Sequence, residues 1–272
     1  MHKQLSLQEK ARRFSASNRR RIAGSFLLEG IVLEGDAGPA IGREPDASPI
    51  IAHRIQTLIA RYGLRYGLGD DPYCYAGTRV LKNRLHIADA QLLGKVEGEV
   101  AALRALTLTP QFERFDAARF RQIHAHLFQD VYAWAGEYRT VDIRKGDNLF
   151  CTVGRIDAEL NRIFQRMSNE AGLPGRPLPD FVRCIADYYC EINVIHPFRE
   201  GNGRAQRLLF DELIVHAGFD VDWALIEAEE WIAANIAGHA GDLEPLIELF
   251  RRVVSEPPPS GGAVSGSAAC GT

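Results

Sequence analysis

The 272-residue chain contains no run approaching the ~18 consecutive apolar residues that a bilayer-spanning helix needs. Met1 to Phe14 is polar and basic and lacks the apolar stretch of a secretory leader. A cytoplasmic protein is expected, leaving only signal-independent routes for export. Cysteine is sparse and odd in number: Cys74, Cys151, Cys184, Cys190 and Cys270, with no CxxC pair, so neither a disulfide framework nor a zinc site is expected. There is no strong excess of either charge, the formal net charge being -3, which argues against nucleic acid or an anionic membrane as bulk partners. Internal repeats are absent. What is present is ordinary for a soluble globular protein, with 46% hydrophobic and 25% charged residues. The length suits one large domain, alone or with a small appendage.

The pattern is mostly α. Residues 7–29 read as one helix, with Ile22, Phe26 and Leu27 apolar and Gly30 as its stop. Asp36–Pro49, rich in Gly and Pro, reads as a linker, and a helix is expected over about 50–62. Two helical stretches are expected between Thr78 and Leu106, and a clear helix over 115–128, capped by Asp116. Residues 138–152 read as two short extended runs around Lys145-Gly-Asp-Asn148, a small β-hairpin. Helices follow at 153–168, 180–193, from Asn202 or Arg204 to Ala217, and about 226–254. The tail 256–272 is Pro-, Gly-, Ser- and Ala-rich and reads as disordered. This divides the chain into an N-terminal helical segment at 1–35, a linker at 36–49, a main domain at 50–255 and a tail.

One loop carries the chemistry: His196-Pro-Phe-Arg-Glu200-Gly-Asn-Gly203-Arg204-Ala-Gln-Arg207. Gly201 and Gly203 flank Asn202, so the backbone can approach a ligand closely. The helix starting near Asn202 offers free N–H groups and a dipole that favour an anion. Arg204 and Arg207, three apart, can both face it. Glu200 is an acid in a phosphate-suited loop, best explained as a ligand of Mg²⁺, which binds one or two carboxylates plus substrate phosphates. His196 can take a proton from an attacking hydroxyl. A base, a metal ligand, an anion cradle and arginines are the parts of phosphoryl or nucleotidyl transfer.

The string resembles the Fic signature, His-x-Phe-x-Asp/Glu-Gly-Asn-Gly-Arg-x-x-Arg, with every defined position filled. Tyr73–Asn83 (YCYAGTRVLKN), the run from Ile123 to Thr140 with Trp134-Ala-Gly136, and the hairpin extend the resemblance over about residues 70–250. The resemblance implies a Fic-fold helical bundle with a β-hairpin flap. It implies AMP transfer from ATP to a Ser, Thr or Tyr hydroxyl of a target protein. His196 would be the base and Glu200 the Mg²⁺ ligand. Gly201, Asn202, Gly203 and Arg204 would bind phosphates, Arg207 would reach the γ-phosphate and Phe198 would anchor the loop. The flap, Lys145, Gly146, Asp147, Asn148, Leu149 and Phe150, would register the target by strand addition. Some family members that transfer other groups carry departures in the motif, and this string has none, which favours ATP and AMP.

Ser25-Phe-Leu-Leu-Glu29-Gly30 also resembles the family's inhibitory helices, Ser/Thr-x-x-x-Glu-Gly/Asn. Ser25 and Glu29 share a helix face. A carboxylate presented to Arg207 would occupy the arginine that the γ-phosphate needs. Residues 1–30 resemble the small antitoxin partners of Fic toxins, and by that analogy a type II topoisomerase is one candidate target. A linker of ~14 residues at up to ~3.3–3.6 Å each lets Glu29 act on its own core or on a neighbour in a homo-oligomer. Two rival readings are Glu29-dependent removal of AMP from a modified protein and a catalytically quiet toxin–antitoxin module. His124 and His126, two apart on a helix, are expected to be structural. The basic residues Arg12, Arg13 and Arg19–Arg21 are expected on a solvated face.

Overall fold

The computed structural model describes residues 6–32, 49, 51, 71–145, 148–170 and 173–257. The helix expected at 50–62, most of the linker and the tail beyond 257 lie outside the described residues.

Helix α1 (Leu7–Leu27) starts at Ser6, whose hydroxyl accepts the Glu9 N–H at 3.2 Å. It ends where Gly30 takes a left-handed φ of 71° and Ile31 N–H returns to the Phe26 carbonyl at 3.1 Å. Helix α2 (Ala90–Leu106) is capped by Asp89. Only this one helix forms in the stretch where two were expected. The Asn83 carboxamide accepts from Ile87 N–H and donates to the Leu81 and Ile87 carbonyls, so local side-chain bonds displace the helical pattern before Asp89.

Helix α3 (Ala117–Phe128) is capped by Asp116, as expected. The hairpin is shorter than its signals suggested: β1 (Arg144–Lys145) pairs antiparallel with β2 (Asn148–Leu149). A 3-10 turn at Val153–Arg155 leads into α4 (Ile156–Asn169). Then come α5 (Leu178–Ile195) and α6 (Asn202–Ala217), the latter ended by Gly218.

The helical stretch expected at about 226–254 comprises two helices, α7 (Ala228–His239) and α8 (Glu244–Val253). Gly241 with φ 97° breaks it, and Asp242 N–H closes the turn onto Ala237. A small ladder, β3 (Asp220–Val221) against β4 (Val254–Ser255), ties the end of α8 back beside α6. The fold is thus mostly α with two short two-stranded ladders among the described residues.

One contiguous apolar core runs through α2 to α8 and takes in Ile22, Phe26 and Leu28 from α1 and its end. Helix α1 packs on α2, on α6 and on the 3-10 turn at Trp223–Leu225. Gly24 allows that approach, because a Cβ there would meet the Ala224 nitrogen at 2.6 Å. The basic face is only partly solvated. Arg12, Arg19 and Arg20 are exposed, but Arg21 is buried. Its guanidinium lies 3.8 Å over the Phe14 ring and donates to the Phe14 carbonyl at 2.8 Å. The four described cysteines are free thiols.

Candidate active site

Helix α5 stops at His196, which caps it in the left-handed conformation (φ 50°, ψ 62°). Left-handed backbone costs an ordinary residue about 1–2 kcal/mol, so the loop must hold it there. Asn202 does part of this: its carboxamide accepts the Phe198 N–H and donates to the Phe198 carbonyl, both at 2.8 Å. Phe198 is fully buried and stacks on His124 at 3.8 Å between centroids. Gly201 then turns with φ 77°, and a Cβ there would sit 2.3 Å from the Phe128 ring.

The first intrahelical bond of α6 runs from Ala205 N–H to the Gly201 carbonyl at 3.1 Å. The N–H groups of Asn202, Gly203 and Arg204 precede it and form the anion seat of a helix N-terminus. The Asn202 side chain is spent on the loop, so of this residue only the main-chain N–H is left to face that seat.

The arginines face acids. Arg207 donates from Nε to Ser25 Oγ at 2.8 Å and from an Nη to Glu29 Oε1 at 2.6 Å. Arg204 is buried beneath three carboxylates, with Nε 2.8 Å from Glu29 Oε2, Nη1 2.6 Å from Glu97 Oε1 and Nη2 3.5 Å from Glu200 Oε1. The first two are close ion pairs without hydrogen-bond alignment. Glu29 therefore bridges both arginines, where the spacing suggested Arg207 alone. Glu97 was not foreseen. It is a buried acid of α2 that also accepts the Tyr132 hydroxyl. Its only sequence signal is a charge between apolar or small neighbours, Val96 and Gly98, and Glu99 two residues on carries the same signal.

Glu200 keeps 45% of its side-chain surface, and its Oε1 accepts the Gly201 N–H at 2.9 Å. Partial desolvation of the carboxyl within the cleft and then the charge of Glu97 push its pKa upward. Among the described residues no group of three or more His, Cys, Asp or Glu could hold a metal. A lone carboxylate beside a phosphate seat is still the donor set Mg²⁺ accepts when a nucleotide brings the remaining oxygens.

His124 and His126 have separate structural partners, as expected. His124 Nδ1 accepts the Gly136 N–H at 2.8 Å and its Nε2 lies 2.9 Å from the Glu200 carbonyl. Burial drives its pKa down to about 3. His126 Nε2 faces the Arg104 carbonyl and the Thr107 hydroxyl.

The hairpin delivers Phe150 onto His196, stacked at 4.0 Å between centroids, and leaves Leu149 half exposed. Gly146 and Asp147 lie outside the described residues, as do the side chains of Lys145 and Asn148. Glu29, Phe150, His196, Glu200 and Arg207 line one cleft of ≈ 500 Å³, a size suited to a small molecule. Its far wall is α7, with Trp231, Ile232, Asn235 and Ile236. Sequence reasoning missed this wall, although two exposed isoleucines one helical turn apart, Ile232 and Ile236, mark it.

Residues 114–214 match the model of the Fic/DOC family. The chain is 44% identical over 192 residues to "Probable protein adenylyltransferase Fic" of Escherichia coli K12, covering 71% of this chain and 96% of that protein. It is 38% identical to "Probable protein adenylyltransferase y4lH" of Sinorhizobium fredii, covering 70% and 100%. Among solved structures, the N-terminal Fic domain of a Bartonella quintana Bep effector with bound ADP superposes with TM-score 0.65 at 29% identity, covering 68% of this chain and 94% of that one. BepC of Bartonella tribocorum with bound AMPPNP gives TM-score 0.65 at 28% identity, covering 68% and 97%. The family model spans the motif loop and the helices on either side of it, and the E. coli protein matches along almost its whole length, so the chain belongs to the Fic/DOC family.

Proposed function

We propose that this chain transfers AMP from ATP to a Ser, Thr or Tyr hydroxyl of another protein, and that α1 holds the reaction in check. The observation that carries the reading is the juxtaposition, in one cleft, of His196, the N-terminus of α6 and Glu29 on both arginines. Relatives named as protein adenylyltransferases, and similar structures that hold ADP or AMPPNP, support the nucleotide.

His196 Nδ1 lies 3.3 Å from the Asn193 carbonyl, which can only accept, so Nδ1 carries the proton and Nε2 is the basic nitrogen. Nε2 takes the proton of the target hydroxyl. That oxygen bonds to the α-phosphorus, the bond to the β-phosphate oxygen breaks, and pyrophosphate leaves with the electron pair. The N–H groups of Asn202, Gly203 and Arg204 hold the phosphates. Glu200 would hold Mg²⁺, which supplies positive charge to the phosphates. The flap pairs with the target's backbone beside His196. Glu29 occupies Arg207, so bound ATP cannot seat its γ-phosphate there. A type II topoisomerase target, a toxin–antitoxin setting, a cytoplasmic location and homo-oligomeric action of α1 extend this reading by analogy with the family.

The test is incubation of wild type, Glu29→Gly and His196→Ala with α-³²P-labelled ATP, Mg²⁺ and a bacterial lysate. Strong labelling of protein is expected only with Glu29→Gly. Labelling by His196→Ala would sink the mechanism, and equal labelling by wild type and Glu29→Gly would sink the inhibition. Loss of label from a pre-labelled lysate, dependent on Glu29, would move the reading to AMP removal.

A further inference from the structure

Arg139 is fully buried, yet no carboxylate sits in direct contact with it: the nearest, Asp142, is 3.7 Å away and half exposed. Its charge is met by main-chain carbonyls. Nε donates to His196 O at 2.9 Å and Nη1 to Val141 O at 2.8 Å. Nη2 donates to Cys151 O and to Ile195 O, the latter at 3.3 Å. The Arg139 main-chain N–H adds a bond to Pro197 O at 2.8 Å.

These acceptors form two groups. Ile195, His196 and Pro197 are three successive carbonyls across the left-handed His196. Ile195 and His196 also close α5, where carbonyls lack helical partners and the dipole favours a cation. Val141 and Cys151 belong to the two arms of the hairpin, one on each side of β1 and β2. Cys151 N–H in turn bonds to Val194 O at 3.2 Å, and Asp142 accepts the Val153 N–H at 2.8 Å. A planar guanidinium with donors in fixed directions can span such a set; an ammonium, as a point donor, cannot.

We infer that Arg139 is a positioning residue that clamps both arms of the flap to the backbone of His196, so that docking a target on the flap also sets the distance from its hydroxyl to the base. The inference rests on the proposed transfer reaction, since it names what the clamp positions. Displacing reacting groups by about 1 Å can cost on the order of a hundredfold in rate. Nucleotide seating on α6 does not pass through Arg139.

The experiment places Arg139→Gln and Arg139→Lys in the Glu29→Gly background. Three quantities are read: affinity for AMPPNP, the kcat and KM of protein labelling, and amide hydrogen exchange over 141–153 and 194–198. The expected result is AMPPNP affinity within about twofold of the parent, kcat lower by about a hundredfold for Gln, and faster exchange in both segments together. Lys keeps the charge and is expected to lose at least about tenfold. If Gln fails to fold, Lys decides. Labelling within about threefold of the parent in the folded variants, or unchanged exchange in either segment, overturns the clamp. If the Glu29→Gly parent labels nothing, the proposed reaction fails by itself, and coupled exchange of the two segments still decides whether Arg139 joins them.

Discussion

Gly201 and Gly218 flank α6, and both have left-handed backbone, with φ of 77° and 101°. Their surroundings differ. A Cβ on Gly218 meets nothing within 4 Å, whereas one on Gly201 falls 2.3 Å from the Phe128 ring. Gly218→Ala should therefore cost about 1–2 kcal/mol from backbone conformation alone. Gly201→Ala should add an overpacking cost of about 1–3 kcal/mol. Urea denaturation of the two variants checks the order, and equal losses would show that Phe128 yields freely. His124 offers a second residue-scale expectation. With its pKa pushed down to about 3 by burial, its ring should stay neutral from pH 5 to 8. The Gly136 N–H on Nδ1 assigns the proton to Nε2, and ¹⁵N NMR of the imidazole should show that one tautomer throughout. The twelve-position string was legible because its geometry is local: glycines for the turn, a helix start, a buried Phe198. Which part of Asn202 serves the site was not legible. Its side chain binds Phe198 four residues earlier, and residue type alone does not say whether an amide faces its own loop or a ligand.

At the scale of elements, the existence and type of most helices follow from apolar periodicity, and the caps at Asp116, Gly30 and Gly218 follow from residue type. The error lies where a side chain competes with the backbone, as Asn83 does, and the break at Gly241 within the last helical stretch was not marked by periodicity. Helix α1 shows what periodicity could not supply, namely the surface that receives it. That surface includes the backbone of the 3-10 turn, against which Gly24 is pressed. Gly24→Ala should stabilise the isolated helix by about 0.5–1 kcal/mol, since alanine is the better helix former. In the folded protein it should instead push α1 away, because the new methyl meets the Ala224 nitrogen at 2.6 Å. Under the proposed inhibition, Gly24→Ala should then raise protein labelling by at least about tenfold with Glu29 intact, that is, by weakening the contact by ~1.4 kcal/mol or more. Labelling at the wild-type level would mean that α1 accommodates the methyl or that its docking does not control the reaction.

For the molecule as a whole, the buried charges are the part no local pattern reveals, because each pairing is made by residues far apart in the chain. Glu97 meets Arg204, Arg119 meets Glu212, and Arg21 of α1 lies in the field of Asp211 of α6. The last of these joins three elements, since Asp211 Oδ1 also accepts the Trp223 indole N–H at 2.7 Å. Burial penalises charge on both sides: it lowers the pKa of Arg21 and raises that of Asp211 to about 6, with Arg21 and Trp223 pulling the latter back. A carboxyl whose folded pKa lies above its unfolded value contributes stability that is full below about pH 4 and lost as pH rises through about 6. The loss is on the order of 3 kcal/mol. Wild type should thus lose stability between pH 4 and 6.5 relative to Asp211→Asn, which cannot ionise. Paired urea titrations across that range isolate the term, because other titrating groups cancel between the two proteins. Parallel stability curves would mean that Arg21 keeps Asp211 ionised throughout and that the attraction between the two charges helps bind α1 to α6.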